Sequence, residues 1–240
     1  MKLKTLFSAL VCAATPVCGL FANDNVPAPK QAHPVLLRGA TVHTVGGDVI
    51  PDGQVLFAGG KIQSVGGREL KLELADGTEV IELNGKHLYP GMIAANTVLG
   101  LTEVRAVRAT RDMIEPGRIN PNARAQVAVN PDSELLPVTR SNGVLVAQVV
   151  PQANGSGSIS GTSAVMALDG WTWEDMTVSA ECGLHITWPR MVVSDGDGSE
   201  AAKKRAAESL KGRDERIAGL EEAFDNARAY LKARAAKPDT

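Results

Sequence analysis

The sequence predicts an α/β chain, and three patterns carry that expectation. Between Val35 and Tyr89, short apolar runs alternate with glycine turns, the pattern of a small β-sandwich. After Pro90 the runs become continuously apolar, at Gly91–Ala95 and Gly143–Val150, as strands buried on both faces do. From Ser199 to Ala236, apolar residues recur at three- and four-residue spacing, which reads as a helix.

The first 22 positions read as a signal peptide. Lys2 and Lys4 precede an apolar run from Leu6 to Ala22 that is too short and too interrupted for a membrane span. Cleavage is expected after Ala22, with Gly19 as the alternative, and the product is expected to be periplasmic or secreted. Removal of this segment takes Cys12 and Cys18 with it. Only Cys182 then remains, so the mature chain has no internal disulfide and no thiolate-built zinc site. Positions 23–34 hold Pro27, Pro29 and Pro34 among polar residues and read as a flexible leader.

Positions 35–89 are the sandwich region. Val35–Gly39 and Ala40–Val45 read as two runs, then Val49–Gly53 and Gln54–Phe57 as two more. The turn Ala58-Gly59-Gly60 leads into Lys61–Val65. Asn84-Gly85 between Val80–Leu83 and Lys86–Tyr89 reads as a two-residue hairpin turn. Positions 90–240 form the second region. It holds the two buried strands, further strand candidates at Ala164–Leu168 and Gly183–Trp188, and the helix. Gly212 and Gly219 cost about 1 kcal/mol each relative to Ala, so a break near Gly212 is expected. Ile217, Leu220, Phe224, Ala227 and Leu231 form the stripe by which this helix must dock.

Charge and composition exclude several partner classes. The formal net charge is −2, which offers no basic field for nucleic acid or for an anionic membrane surface after signal cleavage. Aromatic residues make up 4 % of the chain, too few for a stacking platform. The segment Asn154–Ser163 is rich in glycine and serine but lacks the Gly-Lys-Ser/Thr ending of a phosphate loop, so it reads as a plain flexible loop. No Gly-x-Ser-x-Gly elbow is present to support serine-hydrolase chemistry.

The segments Leu37–Val42, Ile50–Leu56, Gly60–Gly66 and Val80–Ile93, in this order and spacing, resemble the amidohydrolase superfamily, in particular its imidazolonepropionase-like branch. The resemblance implies a small composite β-sandwich, followed by a (β/α)8-type barrel entered after Pro90-Gly91. It also implies a divalent metal, typically zinc, and hydrolysis of non-peptide C–N bonds. In that family the first barrel strand ends in His-x-His, because alternate strand residues point the same way and aim both imidazoles at the metal. Here Asn96 and Val98 stand at those positions, and Ala94 replaces the usual aspartate. Valine has no donor, and an amide oxygen is a weak zinc ligand beside imidazole. No metal cofactor is therefore expected for this chain. From Pro90 to Thr240 there are roughly 150 residues, against about 250 for an eight-fold barrel. The barrel is expected to be incomplete, in a fragment of a longer parent or in a chain completed by self-association or a second chain.

Glu103, Arg105, Arg108, Arg111 and Asp112 follow the degenerate strand and are placed to line a barrel mouth, or to form a solvated, salt-bridged loop. His185 lies in a candidate strand, as a barrel-facing group or as a core histidine. Trp171 and Trp173 face one side if extended, as a ligand wall or as the anchor of a lid. The candidate pocket is thus Glu103, Arg105, His185, Trp171 and Trp173, for a small-molecule ligand. Catalytic residues are not identifiable. The expected function is that of an exported amidohydrolase-like protein lacking its own metal-dependent activity. The alternative is a non-catalytic binding or scaffold protein that uses the barrel mouth for recognition.

Overall fold

A computed structural model describes residues 26–236. The expected signal peptide therefore lies outside the described residues. The chain is mixed α/β, with two sheets and a long C-terminal helix. Among the described residues no helix is long and apolar enough to cross a membrane.

The first sheet has five strands: β1 (Val35–His43), β2 (Val49–Ala58), β3 (Lys61–Gly66), β4 (Glu79–Glu82) and β5 (His87–Leu88). The order is β3-β2-β1-β4, with β5 also beside β1. Two pairs of short runs fuse into single bulged strands. In β1 the bulge falls at Gly39, whose φ of +82° suits glycine and where a Cβ would collide with the Asn84 side-chain oxygen. The Ala58-Gly59-Gly60 turn joins β2 to β3 as expected, with positive φ at both glycines.

Asn84-Gly85 does not close a hairpin. Both β4 and β5 run parallel to β1, β4 against Val35–Arg38 and β5 against Thr41–Val42. The turn between them is a local excursion. The Leu83 amide donates to the Arg38 carbonyl at 2.7 Å, and the Thr41 amide donates to the Lys86 carbonyl at 2.9 Å. The cross-strand pair Arg38–Glu82 forms an ion pair. A small core of Ala40, Val42 and Val55 lies on one face, with Ile50, Phe57, Leu83 and Leu88 packed against it. Among the described residues this region is one sheet, where the sequence led us to expect two packed layers.

The second sheet has the order β6 (Met92–Thr97), β7 (Val144–Val149), β8 (Ser158–Ala167), β9 (Thr177–Thr187). β6 and β7 are parallel; β7–β8 and β8–β9 are antiparallel. The long connection from β6 to β7 carries the helix α1 (Leu135–Ser141), as a parallel crossover requires. The connection from β7 to β8 covers only residues 150–157, too short for a parallel return, so the next strand reverses direction. The segment expected to be a flexible loop, Asn154–Ser163, is mostly strand. Ser158, Ile159, Ser160, Gly161 and Ser163 are buried in β8. Their hydroxyls are satisfied by backbone: Ser158 Oγ donates to the Gly155 carbonyl at 2.7 Å, and Ser160 Oγ to the His185 carbonyl at 3.3 Å.

The main core lies on one side of this sheet and joins Leu101, Val129, Leu136, Val149, Met166, Leu168 and Met176. Gly91–Ala95, expected to be buried on both faces, is not. Met92 is 55 % and Ile93 71 % exposed, because β6 is an edge strand and among the described residues only Ala94 of its apolar run packs on that core.

The C-terminal helix α3 runs from Glu200 to Ala236 without interruption through Gly212 and Gly219. Ser199 Oγ accepts from the Ala202 amide at 3.2 Å and caps its start. Docking of the first two-thirds offsets the cost of the glycines. Ala202 and Leu220 are buried, and Arg213 donates to the Met191 carbonyl at 3.0 Å. Beyond Ala223 every described residue of the helix is exposed.

Candidate functional site

The C-terminal ends of the parallel strands β6 and β7 carry a cavity of about 660 Å³. Its position follows from backbone pairing. The Val150 amide donates to the Thr97 carbonyl at 2.8 Å, and the Gln152 amide to the Met113 carbonyl at 2.6 Å. These bonds tie the segment leaving β7 to the loop leaving β6. That loop is itself closed by the Asp112 amide bonding the Leu101 carbonyl at 2.8 Å and by the pairing of Thr102 with Arg111.

Asn96 and Val98 both line this cavity. They do not continue the alternation of a regular strand. Asn96 has φ of +54°, and the β6–β7 register shifts between Ala94 and Thr97. Asparagine tolerates this left-handed conformation better than a β-branched residue does. Past the bulge, Asn96 is exposed and Val98 packs against the main core.

Glu103 and Arg105 line the same cavity. The Glu103 carboxylate is held in place: it accepts from Ser133 Oγ at 2.8 Å and from Asn130 Nδ2 at 3.3 Å. Ser133 is itself buried, and its Oγ accepts from the Leu135 amide at 3.3 Å just ahead of α1. Arg105 is exposed at the rim. A smaller hollow of about 180 Å³ adjoins through Met113 and Ile114 and is lined by Arg108, Arg111 and Glu115. Arg111 Nε is buried there without a hydrogen-bond partner among the described residues.

The other candidates lie elsewhere. His185 sits on β9 opposite Gly161, away from this cavity, and burial pushes its pKa down. Trp171 and Trp173 do not share a face of an extended segment, because a short helix, α2 (Trp173–Met176), begins between them. Thr172 caps it, its Oγ1 accepting from the Asp175 amide at 3.3 Å. Trp173 consequently packs on the main core, whereas Trp171 is 66 % exposed beside Pro27–Lys30 of the leader. Sequence reasoning missed Ser133, Leu135 and Gln152. Gln152 was discoverable, since it follows β7 as Glu103 follows β6. Ser133 and Leu135 come from a crossover whose path no local pattern announces.

The fold that carries this cavity has a counterpart among solved structures. The chain superposes on an amidohydrolase from Thermotoga maritima MSB8 with a TM-score of 0.67 at 23 % identity, over 84 % of this chain and 49 % of that one. The chain has an amidohydrolase-like fold. It spans about half the length of that amidohydrolase. A prolidase complexed with N-methylphosphonate-L-proline matches with a TM-score of 0.33 at 18 % identity, over 48 % of this chain and 25 % of that one. No family model matches the sequence, and no curated protein matches it.

Proposed function

We propose that this amidohydrolase-like chain is an exported protein that recognises a small molecule in the β6–β7 cavity and has no metal-dependent hydrolysis of its own. The reading is carried by the donor set at the strand ends. Where a metallohydrolase of this kind presents two imidazoles, this cavity presents an exposed amide, Asn96, and an apolar side chain turned to the core, Val98. Among the described residues no three His, Cys, Asp or Glu side chains converge as metal ligands. Of the described residues, Glu103 is the one carboxylate in the cavity lining, and no imidazole or thiolate stands beside it there. These residues do not fit a divalent metal, whose zinc form takes three or four nitrogen, sulfur or carboxylate donors.

The same groups suit non-covalent recognition. A cavity of this size is in the range that holds a small ligand, with apolar walls and a few oriented polar groups. Met113, Ile114 and Leu135 supply apolar wall. Glu103 offers acceptors whose direction Ser133 and Asn130 fix, and Arg105 offers donors at the rim. Export is supported by the basic start and apolar run of the first 22 residues.

The test is a thermal-shift screen of chelator-treated protein against a library of small amides, acids and alcohols. Hits must be lost in Leu135→Trp, which fills the cavity. Zinc titration runs in parallel. Ligands that depend on the open cavity, with no stoichiometric zinc surviving dialysis, are expected. Retained stoichiometric zinc with hydrolysis of a C–N bond would overturn the proposal. A second reading is a hydrolase of non-peptide C–N bonds whose ligands come from further chain, and zinc binding with hydrolysis only after such a segment is added would favour it. Its support is that the match covers only 49 % of the amidohydrolase.

A further inference from the structure

The last turns of α3 carry an apolar seam that no described residue covers. Ile217, Leu220, Phe224, Ala227 and Leu231 follow alternating three- and four-residue steps, the spacing by which one helix packs along another. The first part of the seam is used within the chain, where Leu220 is 2 % exposed. The second part is not: Phe224 is 41 % and Leu231 63 % exposed, with Tyr230 beside them at 64 %. From Phe224 to Ala236 the helix extends roughly 18 Å at 1.5 Å per residue.

The charges along this stretch are segregated. Glu221, Glu222 and Asp225 precede the middle of the seam, and Arg228, Lys232 and Arg234 follow it. Ala227 lies at the changeover, with Phe224 and Leu231 on either side. A parallel partner of the same sequence would set acid against acid and base against base. An antiparallel one sets the acidic turn of each copy against the basic turn of the other. It also sets Phe224 against Leu231 across a two-fold axis, with small Ala227 allowing close approach. Such self-complementarity is what an isologous interface needs.

We infer that residues 221–236 of α3 are a docking surface for a second copy of this chain, packed antiparallel. The contact is smaller than a standard interface of about 1,600 Å², which places it among weak, reversible associations. The inference is independent of the cavity and stands or falls without it.

Sedimentation equilibrium of the purified chain from about 1 to 300 µM tests it. The expected result is a reversible transition from the monomer mass to twice that mass. Phe224→Glu with Leu231→Glu should abolish it while leaving the circular dichroism unchanged, since neither side chain is buried in the monomer. Glu221→Lys, Glu222→Lys and Asp225→Lys together make the surface uniformly basic. Arg228→Glu, Lys232→Glu and Arg234→Glu together make it uniformly acidic. Each variant should be monomeric alone, and the two mixed should form a one-to-one heterodimer. Zero-length cross-linking of the unmodified chain should join Lys232 of one copy to Glu221 or Glu222 of the other. A monomer at every concentration, a dimer that survives Phe224→Glu with Leu231→Glu, or cross-links showing a parallel arrangement would overturn the inference.

Discussion

Leu136→Ala and Val138→Ala form a matched pair of cuts in one short helix, two residues apart. Leu136 is 4 % exposed and belongs to the main core, whereas Val138 is 59 % exposed. Truncating Leu136 removes three carbons from the core, about 2.4 kcal/mol at about 0.8 kcal/mol each. The cavity left behind raises the loss to about 3–4 kcal/mol, within the range found for leucine truncations in well-packed cores. Val138→Ala exposes almost nothing new and replaces a β-branched residue by a better helix former, so its effect stays within about 0.5 kcal/mol. Urea unfolding measures both. With a slope of about 2–3 kcal/mol per M, Leu136→Ala should lower the midpoint by more than about 1 M and Val138→Ala should leave it almost unchanged. Because α1 follows Ser133 and carries Leu135, Leu136→Ala should also weaken any ligand of the β6–β7 cavity. Equal midpoints for the two variants would refute the assignment of the Leu136 face to the core.

Three further outcomes are expected. Asn96→Val should destabilise by about 1–2 kcal/mol because a β-branched residue resists φ of +54°, while Asn96→Gly should be close to neutral by the same unfolding assay. Gly161→Ala should destabilise more than either, since φ is +119° and the new methyl meets Ala123 backbone and Cβ; thermal melting of the variant reads this. Burial pushes the His185 pKa below its ordinary 6.5. The unfolded chain therefore binds the proton first as pH falls, and stability should decline from about pH 6.5 down to the lowered value and level off beneath it. His185→Gln should remove that increment, and an NMR titration placing the imidazole at or above 6.5 would refute the assignment.

The limits of local pattern show at particular residues. The Ala58-Gly59-Gly60 turn was legible because two adjacent glycines permit one tight reversal between apolar runs. Asn84-Gly85 was equally turn-like, yet a turn specifies how the chain bends and not which strand receives it. β1 was available to both flanking segments, and they took it. The serines and glycines of β8 read as a loop because hydroxyl-rich stretches are usually solvated. They are buried because neighbouring backbone carbonyls accept their hydroxyls. Trp171 and Trp173 share a side only in an extended segment, and the Thr172 cap places a helix start between them.

For the cavity, residue order alone sets where it opens and which side chains stand at the strand end. Pro90-Gly91 and the apolar run behind them set a strand whose end opens a mouth, and Asn96 and Val98 are there whatever the fold does. Chain identity fixes which atoms are available. The tertiary structure decided which of them meet. Glu103 faces the cavity because Ser133 and Asn130 hold its carboxylate from a loop some thirty residues away. His185 is kept from it because β9 pairs outward on β8. The reason is physical. Residue type and spacing set local conformation within a few turns, but approach across long sequence separations depends on which backbones pair, and only the assembled sheet settles that.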